Sequence, residues 1–243
     1  MKARPASKVN LFAAICAVVF FLAFLFLFIR EDYPHRILSR LSPKKVQTAV
    51  TFPYDDRTLS GWDRCLEQMN VHADIAFLGD SITYLSDFSQ AFPDKTICNL
   101  GIAGDTIQKI LDRVSMVKNV HADQIFLLCG INSLNNNSLE KSIAEYEILV
   151  SVLLSQNSGD LHLISVLPIS QAQSKAISVS TETITSFNQS IRELASSKGI
   201  AYIDLYSLLE QNGFIKPEYT TDGIHLTDSA YAVWRDTIRP YID

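Results

Sequence analysis

Short apolar runs alternate with stretches of helical period along most of the chain. Ile75-Ala76-Phe77-Leu78, Thr96-Ile97-Cys98, Ile125-Phe126-Leu127-Leu128, Leu161 to Leu167 and Ala201-Tyr202-Ile203 have strand length. Continuous runs of this kind suit strands covered on both faces, as in a parallel sheet. Between them, Leu139, Ile143, Tyr146, Val150 and Leu153 recur at steps of three and four, one face of a helix. Glu182 to Lys198 and Asp228 to Ile238 are further helix candidates. Strands alternating with helices predict an α/β domain with a mostly parallel sheet. Val71-His72-Ala73-Asp74 and Val120-His121-Ala122-Asp123 each precede a strand and read as the start of two βα units built alike.

One run breaks the pattern. Leu11 to Ile29 holds 19 residues without charge or proline. As a helix it spans roughly 28 Å, close to the thickness of a bilayer core. A cleaved signal peptide would have a shorter apolar region followed by small residues, and here the run ends in Ile29-Arg30-Glu31-Asp32. The expected organisation is therefore a tail over 1–10, a transmembrane anchor over 11–29, a basic, proline-containing stalk over 30–55 and a folded domain over 56–243. The Lys/Arg count favours the carboxyl flank as cytoplasmic. An anchor this early usually acts as an uncleaved signal, so an extracytoplasmic body is expected.

Composition narrows the function. With 47% hydrophobic and 19% charged residues the chain is not disordered. The net charge of −5 is uneven: about +6 over residues 1–45 and about −11 over the rest. An acidic body argues against nucleic acid, which is bound mainly through basic contacts to phosphate. Four cysteines without a C-x-x-C pair exclude a disulfide scaffold and a thiolate zinc site. Cys98 and Cys129 lie in or beside strands and read as small core residues. Asn136-Asn137-Ser138 and Asn188-Gln189-Ser190 fit the glycosylation pattern, a triplet common by chance.

Gly79-Asp80-Ser81 follows the first strand and opens a helix. A serine there has an exposed hydroxyl and a backbone N–H at a helix terminus, which suits a nucleophile whose product is an oxyanion. A helix cap is the plain alternative, and Thr83 stands where an α/β-hydrolase elbow has its second glycine. Of five histidines, only His225 lies in a loop suited to a base, with Asp222 three residues earlier. A turn through Gly223 can bring that carboxylate to Nδ1; an ordinary turn is the alternative. Gly104, in the glycine-containing loop after the second strand, can present an open N–H. Asn132, in Gly130-Ile131-Asn132 after the third, can offer its amide. A dinucleotide loop is excluded by spacing.

These four blocks, in this order, resemble the SGNH or GDSL family of serine esterases and lipases over about residues 70–240. The resemblance implies a three-layer α/β/α sandwich, flavodoxin-like, with a five-stranded, mostly parallel sheet. It implies Ser81 as nucleophile, His225 as base and Asp222 as its orienter. It also implies an oxyanion hole of the Ser81 N–H, the Gly104 N–H and the Asn132 side chain, with no metal and no cofactor. Ser133 replaces the aspartate common after the family's G-x-N, which places the fine geometry of the site in question. The expected function is hydrolysis of a carboxylic ester, such as an O-acetylated glycan or a lysophospholipid. The rivals are an O-acyltransferase using the same site and a non-catalytic envelope-binding module. Ile169 to Thr181 reads as a border of the acyl pocket or as a disordered surface loop, the second being favoured. Oligomeric state is not legible.

Overall fold

The computed structural model describes the short strand at residues 50–51 and residues 71–242. In chain order its elements are β1 (Val50–Thr51), β2 (Ala73–Gly79), α1 (Ser81–Tyr84), β3 (Ile97–Gly101), α2 (Ile107–Asp112), α3 (Ser115–Val120), β4 (Ala122–Leu128), α4 (Ile131–Asn136) and α5 (Leu139–Gln156). There follow β5 (Asp160–Ile164), α6 (Gln171–Ala176), α7 (Thr181–Lys198), β6 (Ala201–Ile203), α8 (Tyr206–Leu209), a hairpin of β7 (Glu210–Gln211) and β8 (Phe214–Ile215), and α9 (Asp228–Ile238). Short 3₁₀ turns at Pro217–Tyr219 and Arg239–Tyr241 flank α9.

The main sheet runs β1-β3-β2-β4-β5-β6, all parallel. Five strands are those expected; the sixth, β1, pairs Val50 with Cys98 and Thr51 with Asn99. The sheet thus recruits two residues that the sequence assigns to the stalk. The expected anchor at 11–29 lies outside the described residues, and no described helix is long and apolar enough to cross a membrane.

Alternation along the strands divides the core. Ala76, Leu78, Leu100 and Leu127 face one layer, packed with Ile107, Ile110, Leu149, Phe187 and Ile191 from α2, α5 and α7. Ile75, Phe77, Phe126 and Leu128 face the other, packed with Phe88 and with Trp234 of α9. Phe77 meets Phe88 and Trp234 edge-on at 4.7 and 6.2 Å, a favoured aromatic geometry. The result is the expected α/β/α sandwich. Cys98 and Cys129 are buried and free in it, and burial pushes the Cys98 thiol up to about 12.

Helices begin where a hydroxyl can take an orphan N–H. Thr106, Ser138, Ser170, Ser180 and Thr227 cap α2, α5, α6, α7 and α9 in this way. Gly199 ends α7 in the left-handed region at φ +67°, where glycine carries no Cβ penalty.

Two expectations change. The strand read as Leu161 to Leu167 stops at Ile164. Beyond Ser165, whose N–H still meets Ile203, the Asn188 side chain replaces a neighbouring strand. It accepts from Val166 N and donates to Val166 O, both at 2.8 Å. Asn188 is buried by this work, so its triplet offers no accessible glycosylation site. The segment from Ile169 to Thr181 is also no disordered loop: it contains the capped helix α6, and Ile169 and Val179 are buried. Apolar anchors at both ends hold it to the sheet, although its exposed residues are polar.

Candidate active site

The similar stretches around His72 and His121 prove to be neighbours. Ala73 pairs with Ala122, and β2 and β4 run in register to Gly79 and Leu128. Ser81 and Asn132 therefore emerge at the same, carboxyl-terminal edge of the sheet, where open α/β sheets bind ligands. His72 and His121 lie at the other edge, and His162 is buried in β5, stacked on Phe126 at 4.5 Å.

Asp80 is the N-cap of α1 and accepts from Ile82 N at 3.0 Å. Ser81 is then the first residue of the helix, and its N–H has no intrahelical acceptor. The turn is tight because Gly79 lets α1 fold back: a Cβ there would lie 2.2 Å from Thr83 Oγ1 and 2.3 Å from Leu128 O. Asn99 and Tyr231 secure the helix from two sides. Asn99 Nδ2 donates to Thr83 O at 2.8 Å and to Ser86 O at 3.0 Å, and Tyr231 Oη donates to Ile82 O at 2.8 Å.

The loop before α9 brings His225 to Ser81. His225 Nε2 lies 3.0 Å from Ser81 Oγ, and His225 Nδ1 lies 2.6 Å from Asp222 Oδ2. Asp222 Oδ1 also accepts from Ile224 N and His225 N at 2.9 and 2.8 Å. Burial raises the Asp222 carboxyl, but these bonds from His225 and Ile224 outweigh it and hold it at about 2. An ionised carboxylate on Nδ1 leaves Nε2 able to accept the serine proton. The loop is braced by α6: Ser170 N donates to Gly223 O at 2.8 Å, and Gln173 Nε2 to Asp222 O at 3.0 Å.

Gly104 and Asn132 come from two further turns at the same edge. Gly104 takes φ +78° with open space where a side chain would project, so its main chain is approachable. Asn132 Nδ2 donates to Asp105 O at 2.9 Å, which binds its amide to the Gly104 loop and leaves a second N–H. Ser133 is fully buried, and its Oγ accepts from Ile107 N at 2.8 Å. The serine thus still joins α4 to the start of α2, and the change from aspartate does not dissolve the support.

Beneath these turns lie residues that the sequence did not single out. Arg113 Nε donates to Asp105 Oδ2 at 2.7 Å and Arg113 Nη2 to Gly79 O at 3.1 Å. No local spacing marks Arg113, Gln173 or Tyr231: apart from Asp105, eight positions before Arg113, their partners stand 34, 49 and 149 positions away. Burial, with Asp105 nearby, pushes the Asp80 carboxyl up to about 7. Among the described residues no group of three His, Cys, Asp or Glu side chains could hold a metal ion.

The profile of the GDSL-like lipase/acylhydrolase family matches residues 77–233, and the chain belongs to that family. It is a carboxylic ester hydrolase. A Streptococcus pneumoniae structure provisionally described as a platelet activating factor is 27% identical, with TM-score 0.67 over 77% of this chain and 94% of that one. A GDSL-like lipase from Bacteroides thetaiotaomicron is 20% identical, with TM-score 0.66 over 76% and 96%. An acetylxylan esterase from Geobacillus stearothermophilus is 15% identical, with TM-score 0.56 over 69% and 93%. No curated protein matches the chain.

Proposed function

We propose that Ser81 is the nucleophile of this hydrolase, with His225 as base and Asp222 as its orienter. The observation that carries the reading is the unbroken relay from Asp222 Oδ2 through His225 to Ser81 Oγ, at 2.6 and 3.0 Å. Ser81 Oγ attacks the ester carbonyl carbon as its proton passes to His225 Nε2. The carbonyl oxygen becomes an oxyanion, met by the Ser81 and Gly104 N–H groups and the Asn132 amide. His225 then protonates the departing alcohol, leaving an acyl-serine. Water, deprotonated by His225, attacks that ester, and the carboxylic acid leaves as Ser81 regains its proton.

The acyl group is short in this reading. The acetylxylan esterase from Geobacillus stearothermophilus shares this fold. That likeness supports an acetyl-type ester over a long acyl chain. An O-acetylated glycan is therefore the favoured substrate class. The apolar run at 11–29 supports a membrane tether with an extracytoplasmic catalytic domain, which alkaline extraction and protease protection would test.

The deciding assay follows p-nitrophenyl acetate, butyrate and octanoate with the full-length chain in detergent, against Ser81→Ala. Acetate should be turned over fastest, and the variant should lose at least about 10⁴-fold in kcat. Undiminished turnover in Ser81→Ala would sink the mechanism. A preference for octanoate would replace the glycan ester by a lipid. Transfer of acetyl to an added sugar in preference to water would make the protein an acyltransferase.

A further inference from the structure

We infer that Arg113 is a positioning residue that holds the nucleophile turn and the oxyanion donors in one register. The inference rests on the assignment of Ser81, Gly104 and Asn132 made above.

The three donors come from three separate βα turns, and nothing in their local sequence sets their mutual spacing. A backbone bond from Ile102 N to Gly79 O at 3.1 Å joins the first two turns, and Arg113 adds a side-chain link that reaches both Gly79 and Asp105. It caps the C-terminus of α2, eight residues after Asp105, which precedes the same helix. Its planar guanidinium sends Nε to Asp105 and Nη2 to Gly79 O in two directions at once. Gly79 leads directly into Asp80 and Ser81. Asp105 directly follows Gly104, and its carbonyl oxygen receives the Asn132 amide. One side chain thus contacts the peptide before the nucleophile and the residue that links the other two donors. The side chains of Arg113 and Asp105 are 5% and 4% exposed, so solvent does not compete for either bond.

The chemistry calls for such a link. Oxyanion donors stabilise charge only if fixed in advance at the position the oxygen will take. A displacement of about 1 Å costs on the order of 100-fold in rate. Lysine cannot replace the fork, because its ammonium is a point charge without two divergent planar donors. Arg113 touches no reacting atom in this scheme. It acts through Gly79 and Asp105, so its removal should lower kcat and leave KM nearly unchanged.

The test uses the full-length chain with p-nitrophenyl acetate and the variants Arg113→Met, Arg113→Lys, Asn132→Ala and Arg113→Met with Asn132→Ala. Arg113→Met should lower kcat about 100-fold. Arg113→Lys, which keeps the buried cation and thereby the fold, should recover part of that loss. KM should move less than about threefold in both. In the Asn132→Ala background the Arg113→Met loss should shrink to less than about tenfold, since one of the donors it positions is already gone. A lower Tm with wild-type kcat in the folded protein, or losses that simply multiply, would overturn the inference. Amide NMR gives an independent arm. In Arg113→Lys the Gly104 backbone and Asn132 side-chain signals should shift together, and unmoved signals would also overturn it. Full activity in Ser81→Ala would break the underlying site assignment instead, and the NMR arm would still decide whether Arg113 couples these turns.

Discussion

The Asp222–His225 loop and the cluster around Arg113 serve the same serine but are built differently. In the loop, hydrogen bonds span two to five positions, and the Asp222 and His225 side chains are 50% and 33% exposed. In the cluster, Gly79, Asp80, Asp105 and Arg113 come from two βα units and are sealed from water. An exposed carboxylate keeps its charge at small cost, because water and nearby N–H groups solvate it. A buried charge persists only when partners are supplied. In the proposed roles, the loop can serve chemistry with little effect on stability, whereas the cluster would tie chemistry to stability.

The largest effect that separates the two should come from Asp222→Asn. The amide can still accept from Ile224 and His225 but cannot hold the imidazolium. We expect kcat for p-nitrophenyl acetate to fall on the order of 10⁴-fold, with Tm nearly unchanged. A loss below tenfold would reduce the relay to Ser81 and His225 alone.

Asp80→Asn probes the cluster through stability. The Asp80 carboxyl is raised from 3.8 to about 7 by burial. Its folded form favours the proton, so its contribution is fully present below pH 3.8 and is lost as pH rises through 7. The variant cannot ionise. Its Tm relative to the parent should therefore rise between pH 5 and pH 8, at roughly 2–4 °C per kcal/mol for a chain of this size. A Tm difference that does not change between pH 5 and pH 8 would show that Asp80 is already ionised in the folded protein across that range.

The smallest effect should come from Gln173→Ala, which removes one exposed bond to Asp222 O. A single such bond contributes about 0.5–1.5 kcal/mol to stability, so Tm should fall by no more than about 6 °C and kcat by less than about tenfold. A larger loss would mean that α6 governs the loop beyond this contact.

What the sequence shows clearly is what depends on short range. The long helices α5, α7 and α9 follow from apolar positions at steps of three and four, and the strands from continuous apolar runs. Asp222 and His225 are legible because a three-residue spacing with glycine permits one carboxylate to reach its own loop. The strand after Ile164 is misread because Asn188, 22 positions away, takes over the hydrogen bonds of Val166. The order of α6 is missed because its anchors, Ile169 and Val179, are few among polar residues.

By itself, then, the sequence determined the alternation of strand and helix and the carboxyl-edge placement of the motifs, and it pointed to the serine, histidine and aspartate of the proposed site. Only the tertiary structure decided how those motifs are held at working distance. Arg113 joins Gly79 to Asp105, Ser133 joins α4 to α2, and α6 braces the Asp222 loop. Each of these contacts closes between chain-distant groups, and buried polar atoms accept whatever partner the packed sheet brings within reach. Local patterns record which face of an element is apolar, but they carry no mark of which distant polar atom will meet it.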